Sequence, residues 1–358
     1  MMMENTTAIS IKISKTPHSR IAECDFDNIQ FGTIFSDHMF RCDYENGEWQ
    51  QPQILPYGPI SIAPSLSALH YGQAIFEGMK AFKNQMNEPQ LFRPLDNWKR
   101  LNLSAERMAM PEVPEEIFMQ GLKALVDIDR NWIPTKEGSA LYIRPFLFAT
   151  DDFVGVRPSR NFSFIIFTCP VNSYYPKPIK VLIEEGYVRA SKGGVGFAKA
   201  AGNYGASMLP TLEAQQKGFD QIIWTDGLTH EFVEESGTTN LFFVINGKVL
   251  TPNLHDTILN GITRDSCIKV LEHNGIPVEQ RQISVSEIIE AAEKGLLDDA
   301  FGTGTAALIA KIEGISFRGN TYQLPPADQR KISNLLYRQL EDIRTSAIDD
   351  PFGWVVNI

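Results

Sequence analysis

Hydrophobic and polar positions show two kinds of spacing along the first half of the chain. Apolar side chains recur at steps of three and four from about Asp96, a residue suited to capping a helix, and again over residues 114–130. This spacing predicts two amphipathic helices. Residues 140–150 and 161–168 instead carry consecutive apolar and aromatic side chains, which predicts two strands that are buried on both faces.

The second half shows shorter apolar runs that end in turn-forming pairs. Residues 218–227 and 241–247 each have the pattern of a strand followed by an Asp-Gly or Asn-Gly turn. From Gly261 the apolar positions take helical spacing, and an Asn-Gly pair at 274–275 suits a C-terminal cap. We therefore expect a meander of strands with helices around it, and a helix that begins just after Gly261.

Two prolines, Pro176 and Pro178, interrupt this pattern between the halves. Because neither a helix nor a regular strand ladder tolerates them, we predict an interdomain linker at residues 169–180. The linker separates an N-terminal domain, residues 1–168, from a C-terminal domain, residues 181–358. Residues 1 to about 25 are polar and are predicted to be loosely ordered.

Composition narrows the function classes. The chain of 358 residues has a formal net charge of -10 and no run of Lys or Arg, so we expect small-molecule substrates and neither a nucleic-acid nor a membrane partner. The 4 cysteines and 6 histidines lack metal-ligand spacing, which disfavours a metal site or a disulfide framework. No apolar run approaches the ~18 residues of a membrane span, and no signal-peptide pattern begins the chain. We expect a cytoplasmic protein.

Lys199 is the candidate for covalent chemistry. It stands among Ala and Gly residues in the run AKAAGNYG, 198–205. A neutral lysine amine attacks an aldehyde carbon, and small neighbours leave room for a flat ring. The alternative is a solvated lysine in a Gly/Ala-rich loop, so the residues further along the chain decide between the two.

Three later segments supply complementary groups. Residues 234–242 bring a carboxylate, residues 260–264 the start of a helix, and residues 301–307 a Gly/Thr-rich loop. A helix N-terminus and backbone N–H groups bind phosphate, and an acid can face a ring nitrogen. With Lys199, these are the parts that hold pyridoxal phosphate.

Residues 302–307 also match the G-x-G-x-x-A pattern of a dinucleotide-binding motif. That motif requires a strand before it, a long helix after it and an acid about 20 residues further on. Here the pattern soon reaches an Arg-Gly-Asn turn at 318–320, and no acid ends a strand near residue 323. The nicotinamide alternative is therefore disfavoured.

From about residue 25 to its C-terminus, the chain resembles the branched-chain amino acid aminotransferases of the fold-type IV pyridoxal phosphate class. The matching segments, in the family's order, are 69–71 (LHY), 76–82 (FEGMKAF), 91–94 (LFRP), 141–145 (LYIRP), 202–204 (GNY), 237–242 (GTTNLF) and 261–264 (GITR). The resemblance implies an α/β fold of α+β type with a small N-terminal and a larger C-terminal domain, the cofactor in the cleft between them, and a homodimer.

The resemblance also implies roles for single residues. Lys199 binds the cofactor aldehyde covalently and moves the substrate proton, while Glu235 faces the pyridine nitrogen and Glu234 remains a solvated or structural acid. Arg100 is preferred to Arg93 for the phosphate. The implied cofactor-binding set is Arg100, Lys199, Tyr204, Glu235, Gly261, Ile262, Thr263 and Thr305.

Substrate recognition follows from the same resemblance. The α-carboxylate is assigned to Thr238 and Ala306, and Arg144 to the second carboxylate of glutamate. The implied substrate-binding set is Tyr71, Phe76, Tyr142, Arg144, Val154, Val156, Tyr174, Thr238 and Ala306, of which Tyr71, Val154 and Val156 are expected from the partner subunit. For each aromatic residue the alternative is ordinary core packing.

The activity so implied is a reversible ping-pong transfer of the amino group between leucine, isoleucine or valine and 2-oxoglutarate. A D-amino acid aminotransferase or an aminodeoxychorismate lyase would keep Lys199 and Glu235 but lack the Tyr142-x-Arg144 pair. A binding protein that retained only the fold would be expected to have lost Lys199 or Glu235.

Overall fold

The structure, a computed structural model, describes residues 8–175 and 177–358. Residues 1–7 of the predicted N-terminal region and Pro176 of the predicted linker lie outside the described residues. The described α-helices are α1 (Ser67–Tyr71), α2 (Pro94–Arg107), α3 (Glu115–Ile128), α4 (Ala201–Gly205), α5 (Met208–Gln216), α6 (Ile262–His273), α7 (Val285–Glu293) and α8 (Lys331–Arg344).

The strands fall into two sheets. Those of the first sheet are β1 (Lys12–Ile13), β2 (His38–Glu45), β3 (Glu48–Trp49), β4 (Gln53–Pro56), β5 (Ala74–Phe76), β6 (Met79–Lys83), β7 (Pro89–Phe92), β8 (Ala140–Ala149), β9 (Phe162–Val171) and β19 (Val355–Asn357). Those of the second sheet are β10 (Ile179–Ile183), β11 (Gln221–Thr225), β12 (Val233–Ser236), β13 (Thr239–Ile245), β14 (Lys248–Thr251), β15 (Val278–Gln280), β16 (Leu297–Gly304), β17 (Leu308–Phe317) and β18 (Asn320–Gln323).

Contacts divide the chain into two compact units. The first runs up to Ser173 and also takes in Ala198–Ala201 and Ile343–Ile358; the second comprises Tyr174–Phe197 and Gly202–Asp342. The predicted domain limits and linker stay predictions, but β9 continues through Val171, past the strand end expected at residue 168.

The first unit is built on a sheet ordered β1-β4-β2-β9-β8-β6-β7-β19, with β3 beside β2 and β5 beside β8. Helix α3 packs on this sheet through a stripe that includes Ile117, Phe118 and Leu122, which are buried as its helical spacing predicts. Gly121 lies in the same stripe, where a Cβ atom would be 2.5 Å from the ring of Phe40 on β2. The glycine is therefore required by the close approach of helix and strand.

Two details of the predicted N-terminal half are wrong. Helix α2 begins at Pro94, whose fixed φ suits the first helical position, so Asp96 is not the cap but lies in the first turn and pairs with Arg93. The region up to residue 25 is not uniformly loose, because β1 pairs with β4 and Ile9 and Ile21 pack against the core. Isolated apolar residues in a polar segment anchor it there.

The second unit contains a closed ring of strands. Its sheet runs β12-β11-β10-β17-β16-β13-β14-β15, and β12 also pairs with β13. The ring encloses apolar side chains such as Val181, Leu241 and Ile312, all fully buried. The predicted Asn-Gly turn is confirmed at residues 246–247, where both residues have positive φ. The helix predicted to begin just after Gly261 is confirmed as α6.

Within the described ranges, no helix combines the length and apolar character needed to cross a lipid bilayer.

Replacing Gly121 with Ala should destabilise the first unit. Alanine normally favours a helix interior over glycine, but here the added methyl would collide with the buried Phe40 ring, and such overpacking costs about 1–3 kcal/mol. We expect a lower thermal midpoint that Phe40→Leu partly restores in the double variant. Gly58→Ala, where a Cβ meets open space, is the control; an unchanged midpoint for Gly121→Ala would contradict the packing argument.

Candidate active site

The backbone of Lys199 is held on the sheet of the first unit. The amide of Phe76 donates to the Lys199 carbonyl (3.1 Å), and the Lys199 amide donates to the Ser104 hydroxyl (2.9 Å). Ile75 and Ala200 form an antiparallel bridge beside these bonds. The short segment 198–201 is thus paired with β5, and the direction in which the lysine side chain leaves the backbone is set by these bonds.

The side chain of Lys199 lies near an aromatic and cationic cluster. Its Nζ is 5.0 Å from the centre of the Phe76 ring, and the guanidinium carbon of Arg144 is 4.6 Å from the same ring. Arg144 Nη2 also donates to the Tyr142 hydroxyl at 2.9 Å. Four residues of the predicted site, Phe76, Tyr142, Arg144 and Lys199, are therefore brought together, with an amine, a guanidinium and apolar ring faces in contact range.

Tyr142 is confined by neighbours that the sequence analysis missed. A Cβ atom at Gly78 would overlap the Tyr142 hydroxyl, so only glycine fits opposite this ring. Phe31 packs against Tyr142 edge-on, with ring centres 5.1 Å apart. The position of the hydroxyl is consequently determined by Gly78, Phe31 and Arg144 together.

Arg100, the predicted phosphate ligand, forms a buried ion pair with Glu77. Its Nε and Nη2 donate to the two carboxylate oxygens at 2.7 and 2.8 Å, an arrangement that orients the guanidinium plane. Its rival Arg93 pairs with Asp96 at 2.7 Å and stacks on the Trp354 ring at 5.0 Å. Glu77 lies in the segment 76–82 that resembles a family motif, but its pairing with Arg100 was not predicted from the sequence.

In the second unit, three predicted residues line one pocket. Tyr204, Glu235 and Thr238 meet there. The other lining residues are Arg189, Asn203, Ser207, Gly237 and Leu259.

Glu235 is a buried carboxylate with partners on both oxygens. Its Oε1 accepts from the Asn240 side chain and from the Leu259 amide, each at 2.9 Å. Its Oε2 is 2.9 Å from Nε of Arg189, whose Nη2 also donates to the carbonyls of Gly196 and Thr257. Charge-assisted contacts of this kind stabilise an ionised carboxylate away from water.

The neighbouring Glu234 was predicted to be a solvated or structural acid, and its burial excludes the solvated alternative. It is 3% exposed, and its Oε1 accepts from the Thr257 hydroxyl at 2.5 Å. Its Oε2 has no hydrogen-bond partner among the described residues. Burial raises the pKa of this carboxyl to about 7, although the Thr257 hydrogen bond and the charge of Arg189 act in the opposite direction.

The predicted anion-binding residues lie at the start of α6 and between β16 and β17. Gly261 precedes α6, and a Cβ atom there would overlap Oδ1 of Asn240. Ile262 and Thr263 form the first turn, where helices leave backbone N–H groups without intrahelical acceptors. Thr305 and Ala306 lie in the connection after Gly304.

That connection also excludes the dinucleotide motif. β16 and β17 pair antiparallel, with Gly304 opposite Leu308, so a hairpin stands where the motif requires a helix. The hairpin therefore disfavours the nicotinamide alternative, as predicted from the sequence.

The residues expected from a partner subunit are exposed on the first unit. Tyr71 is 40%, Val154 65% and Val156 91% exposed. Their two segments are joined by backbone hydrogen bonds from Ser67 to Asp151 and from Phe153 to Ser65. In the second unit, Tyr174 is 38% exposed and packs edge-on against Tyr175.

Arg189 and Asn240 are functional candidates that the sequence analysis did not single out. Asn240 could have been found, because the β12–β13 hairpin around Gly237 pairs it directly with Glu235. Arg189 gave no comparable local signal, since it lies far from Glu235 in the chain.

Comparisons with known proteins show which family the chain resembles. The family model "Amino-transferase class IV" matches residues 74–315. "Branched-chain-amino-acid aminotransferase 2" of Bacillus subtilis (strain 168) is 42% identical over 361 residues, covering 100% of this chain and 98% of the relative.

Two solved structures have a backbone fold similar to that of this chain. The branched-chain aminotransferase from Thermoproteus uzoniensis, solved with norvaline, superposes with a TM-score of 0.73 at 24% identity, covering 88% of this chain and 98% of that one. The branched-chain amino acid aminotransferase from Escherichia coli gives a TM-score of 0.72 at 26% identity, covering 90% of this chain and 98% of that one. The predicted fold class is confirmed.

Glu234 should make stability depend on pH in the chain freed of any cofactor. Its pKa is raised from 4.5 to about 7, so between these values the folded state retains a proton that the unfolded chain releases. The free energy of unfolding should therefore fall, by about 3 kcal/mol, as the pH rises through this window, and level off above it. Glu234→Gln should lack this component. Denaturant titrations at about pH 5 and pH 8 check it; equal pH dependence in both proteins would contradict the raised pKa.

Proposed function

The chain belongs to the class IV aminotransferases, and from this premise we propose that it is a branched-chain amino acid aminotransferase. It transfers the amino group reversibly between leucine, isoleucine or valine and 2-oxoglutarate by a ping-pong route, with pyridoxal 5'-phosphate as cofactor. The relatives identical at 42% to 44% over nearly the whole chain carry this name.

The observation that carries the proposal is the cluster of Lys199, Phe76, Tyr142 and Arg144. The Lys199 amine lies 5.0 Å from the centre of the Phe76 ring, and the guanidinium of Arg144 contacts the same ring. The ring faces suit an aliphatic side chain, and the guanidinium suits the second carboxylate of glutamate. One cluster with both features supports alternate use of branched and acidic substrates. The Tyr142–Arg144 pair argues against the D-amino acid aminotransferase and lyase alternatives.

The residues present fit pyridoxal phosphate. Glu235 is a buried carboxylate for the ring nitrogen, Tyr204 lines the same pocket, and Gly261, where a Cβ atom would overlap Oδ1 of Asn240, lets the start of α6 lie close to this partner of Glu235. The bound cofactor supplies a carbon that takes up the amino group and a ring that withdraws electrons from the substrate.

The protein's own groups bind, orient and move protons. Lys199 holds the cofactor covalently and carries a proton to and from the substrate α-carbon. Arg100, oriented by Glu77, binds the phosphate together with the amides of Ile262 and Thr263 and the Thr305 hydroxyl. Charge-assisted bonds and a helix N-terminus both suit a dianion.

Substrate binding uses the remaining predicted residues. Thr238 and the Ala306 amide receive the α-carboxylate, and Phe76, Tyr142 and Tyr174 surround the side chain.

The enzyme is a homodimer in this proposal. Tyr71, Val154 and Val156 are exposed side chains with apolar surface on adjoining segments, which supports a role in completing the partner's pocket. We place the protein in the cytoplasm, where its free thiols stay reduced.

Lys199→Ala should abolish transamination. Removing the covalent and proton-transferring amine should lower kcat by roughly 10³-fold or more. Borohydride treatment of the wild type should leave the phosphopyridoxyl group on Lys199, identified by peptide mass. Lys192→Ala, an exposed lysine of the same loop, should keep activity and colour. Full activity in Lys199→Ala would end the proposal.

Arg144→Gln should separate the two substrate classes. Loss of a charge-assisted bond to the second carboxylate should raise KM for glutamate and 2-oxoglutarate about 10- to 100-fold, with a much smaller change for leucine. Steady-state kinetics with each substrate check this, and Tyr142→Phe controls for loss of the hydroxyl that Arg144 contacts. An equal loss for both classes would remove the assigned role.

A further inference from the structure

Asn240 lies on β13 directly opposite Glu235 on β12. Side chains at opposite positions of an antiparallel pair lie on the same face of the sheet, close enough to touch. Asn240 Nδ2 donates to Glu235 Oε1 and to the carbonyl of Leu259, each at 2.9 Å. The Leu259 amide donates to the same Oε1 at 2.9 Å. Asn240 therefore joins the candidate acid for the ring nitrogen to the segment that leads into α6.

The oxygen of the same amide group lies against the start of α6. Gly261 precedes this helix, and a Cβ atom there would overlap Oδ1 of Asn240. A larger residue at position 261 would therefore push the helix start and the asparagine apart. Asn240 is only 5% exposed, and hydrogen bonds that are shielded from water in this way are strong. The planar amide is thus fixed at its nitrogen by hydrogen bonds and at its oxygen by packing.

The hydrogen bonds on Oε1 set the direction of the Glu235 carboxylate rather than its charge. Arg189 supplies a positive charge at the other oxygen, Oε2, at 2.9 Å. Burial lowers the pKa of Arg264, in the first turn of α6, and the charge of Glu235 acts in the opposite direction. Arg264 itself donates to the Pro252 carbonyl at 2.8 Å. Asn240 is neutral, so it adds a fixed orientation of the carboxylate plane to the charges that these guanidiniums supply.

We infer that Asn240 is a positioning residue for the cofactor: it holds the Glu235 carboxylate at a fixed place relative to the start of α6. This role rests on the proposed function, in which Glu235 faces the ring nitrogen and the first amides of α6 bind the phosphate. A rigid ring carries its nitrogen and its phosphate at a set separation, so the acid and the helix start have to keep a matching one. Groups held in place before binding avoid the cost of ordering them when the ligand arrives.

Two ligands that differ at the ring nitrogen test this role. Full-length protein freed of cofactor is titrated with pyridoxal 5'-phosphate and with its 1-deaza analogue, which has a CH group in place of the nitrogen, and calorimetry gives both dissociation constants. The wild type should prefer the natural cofactor about 10- to 100-fold, the range of a charge-assisted hydrogen bond. Asn240→Leu, a change of similar volume, should lower this preference about 10-fold. Asn320→Leu, at an exposed position of β18, should keep it.

A double variant identifies the residue through which Asn240 acts. Glu235→Gln should also lose the preference, and Asn240→Leu added to it should cause no further loss, because both substitutions affect one contact. A general loosening of the site would weaken both ligands alike, since the aldehyde and the phosphate are common to them. Equal weakening in Asn240→Leu, with the wild-type preference preserved, would therefore overturn the inference and leave the proposed function intact.

Gly261→Ala is the second test if Asn240→Leu does not fold. The added methyl would displace the Asn240 amide from its place beside α6, so the preference for the natural cofactor should again fall. An unchanged preference in this variant, or a wild type that shows none, would overturn the inference. Failure of the wild type to bind pyridoxal 5'-phosphate, or borohydride trapping away from Lys199, would overturn the proposed function itself.

Discussion

The pairing of residues 198–201 with strand β5 is the constraint on which the site depends. These four residues belong to the first unit although the chain on either side of them belongs to the second. Backbone bonds to Phe76 and Ser104 hold Lys199 in place. A flexible lysine side chain gains catalytic precision only when its backbone is fixed in this way, and the same pairing puts its amine beside the Phe76 ring.

Buried ion pairs orient further side chains of the site. Arg100 is paired with Glu77 in the first unit, and Arg189 with Glu235 in the second. Such pairs add little net stability, because desolvation offsets the attraction between the charges. Their value here is orientation: each holds a planar guanidinium or carboxylate at one angle. Glu234 departs from the pattern, since its side-chain contacts are the Thr257 hydroxyl and, at 3.9 Å, Nε2 of His255 rather than a guanidinium.

Local signals predicted the secondary structure well. The stripe of α3, the apolar runs of β8 and β9 and the turn at residues 246–247 all reflect neighbouring residues only, so periodicity and turn chemistry suffice. The same holds for Gly261 at the start of α6. Prediction failed where a local preference competed with another: Pro94 displaced Asp96 as the start of α2, and a few apolar side chains anchored the polar N-terminal segment.

The amino-acid sequence by itself determined the family, the chemistry-bearing residue types and the elements that carry them, because motifs and periodicity are properties of adjacent positions. Only the tertiary structure decided that Arg189 meets Glu235, that Phe31 and Gly78 confine Tyr142, and that Glu234 is buried beside Thr257. These contacts join residues far apart in the chain or on opposite faces of one strand. Strand register and packing determine these contacts, and neither can be predicted from the order of residues alone.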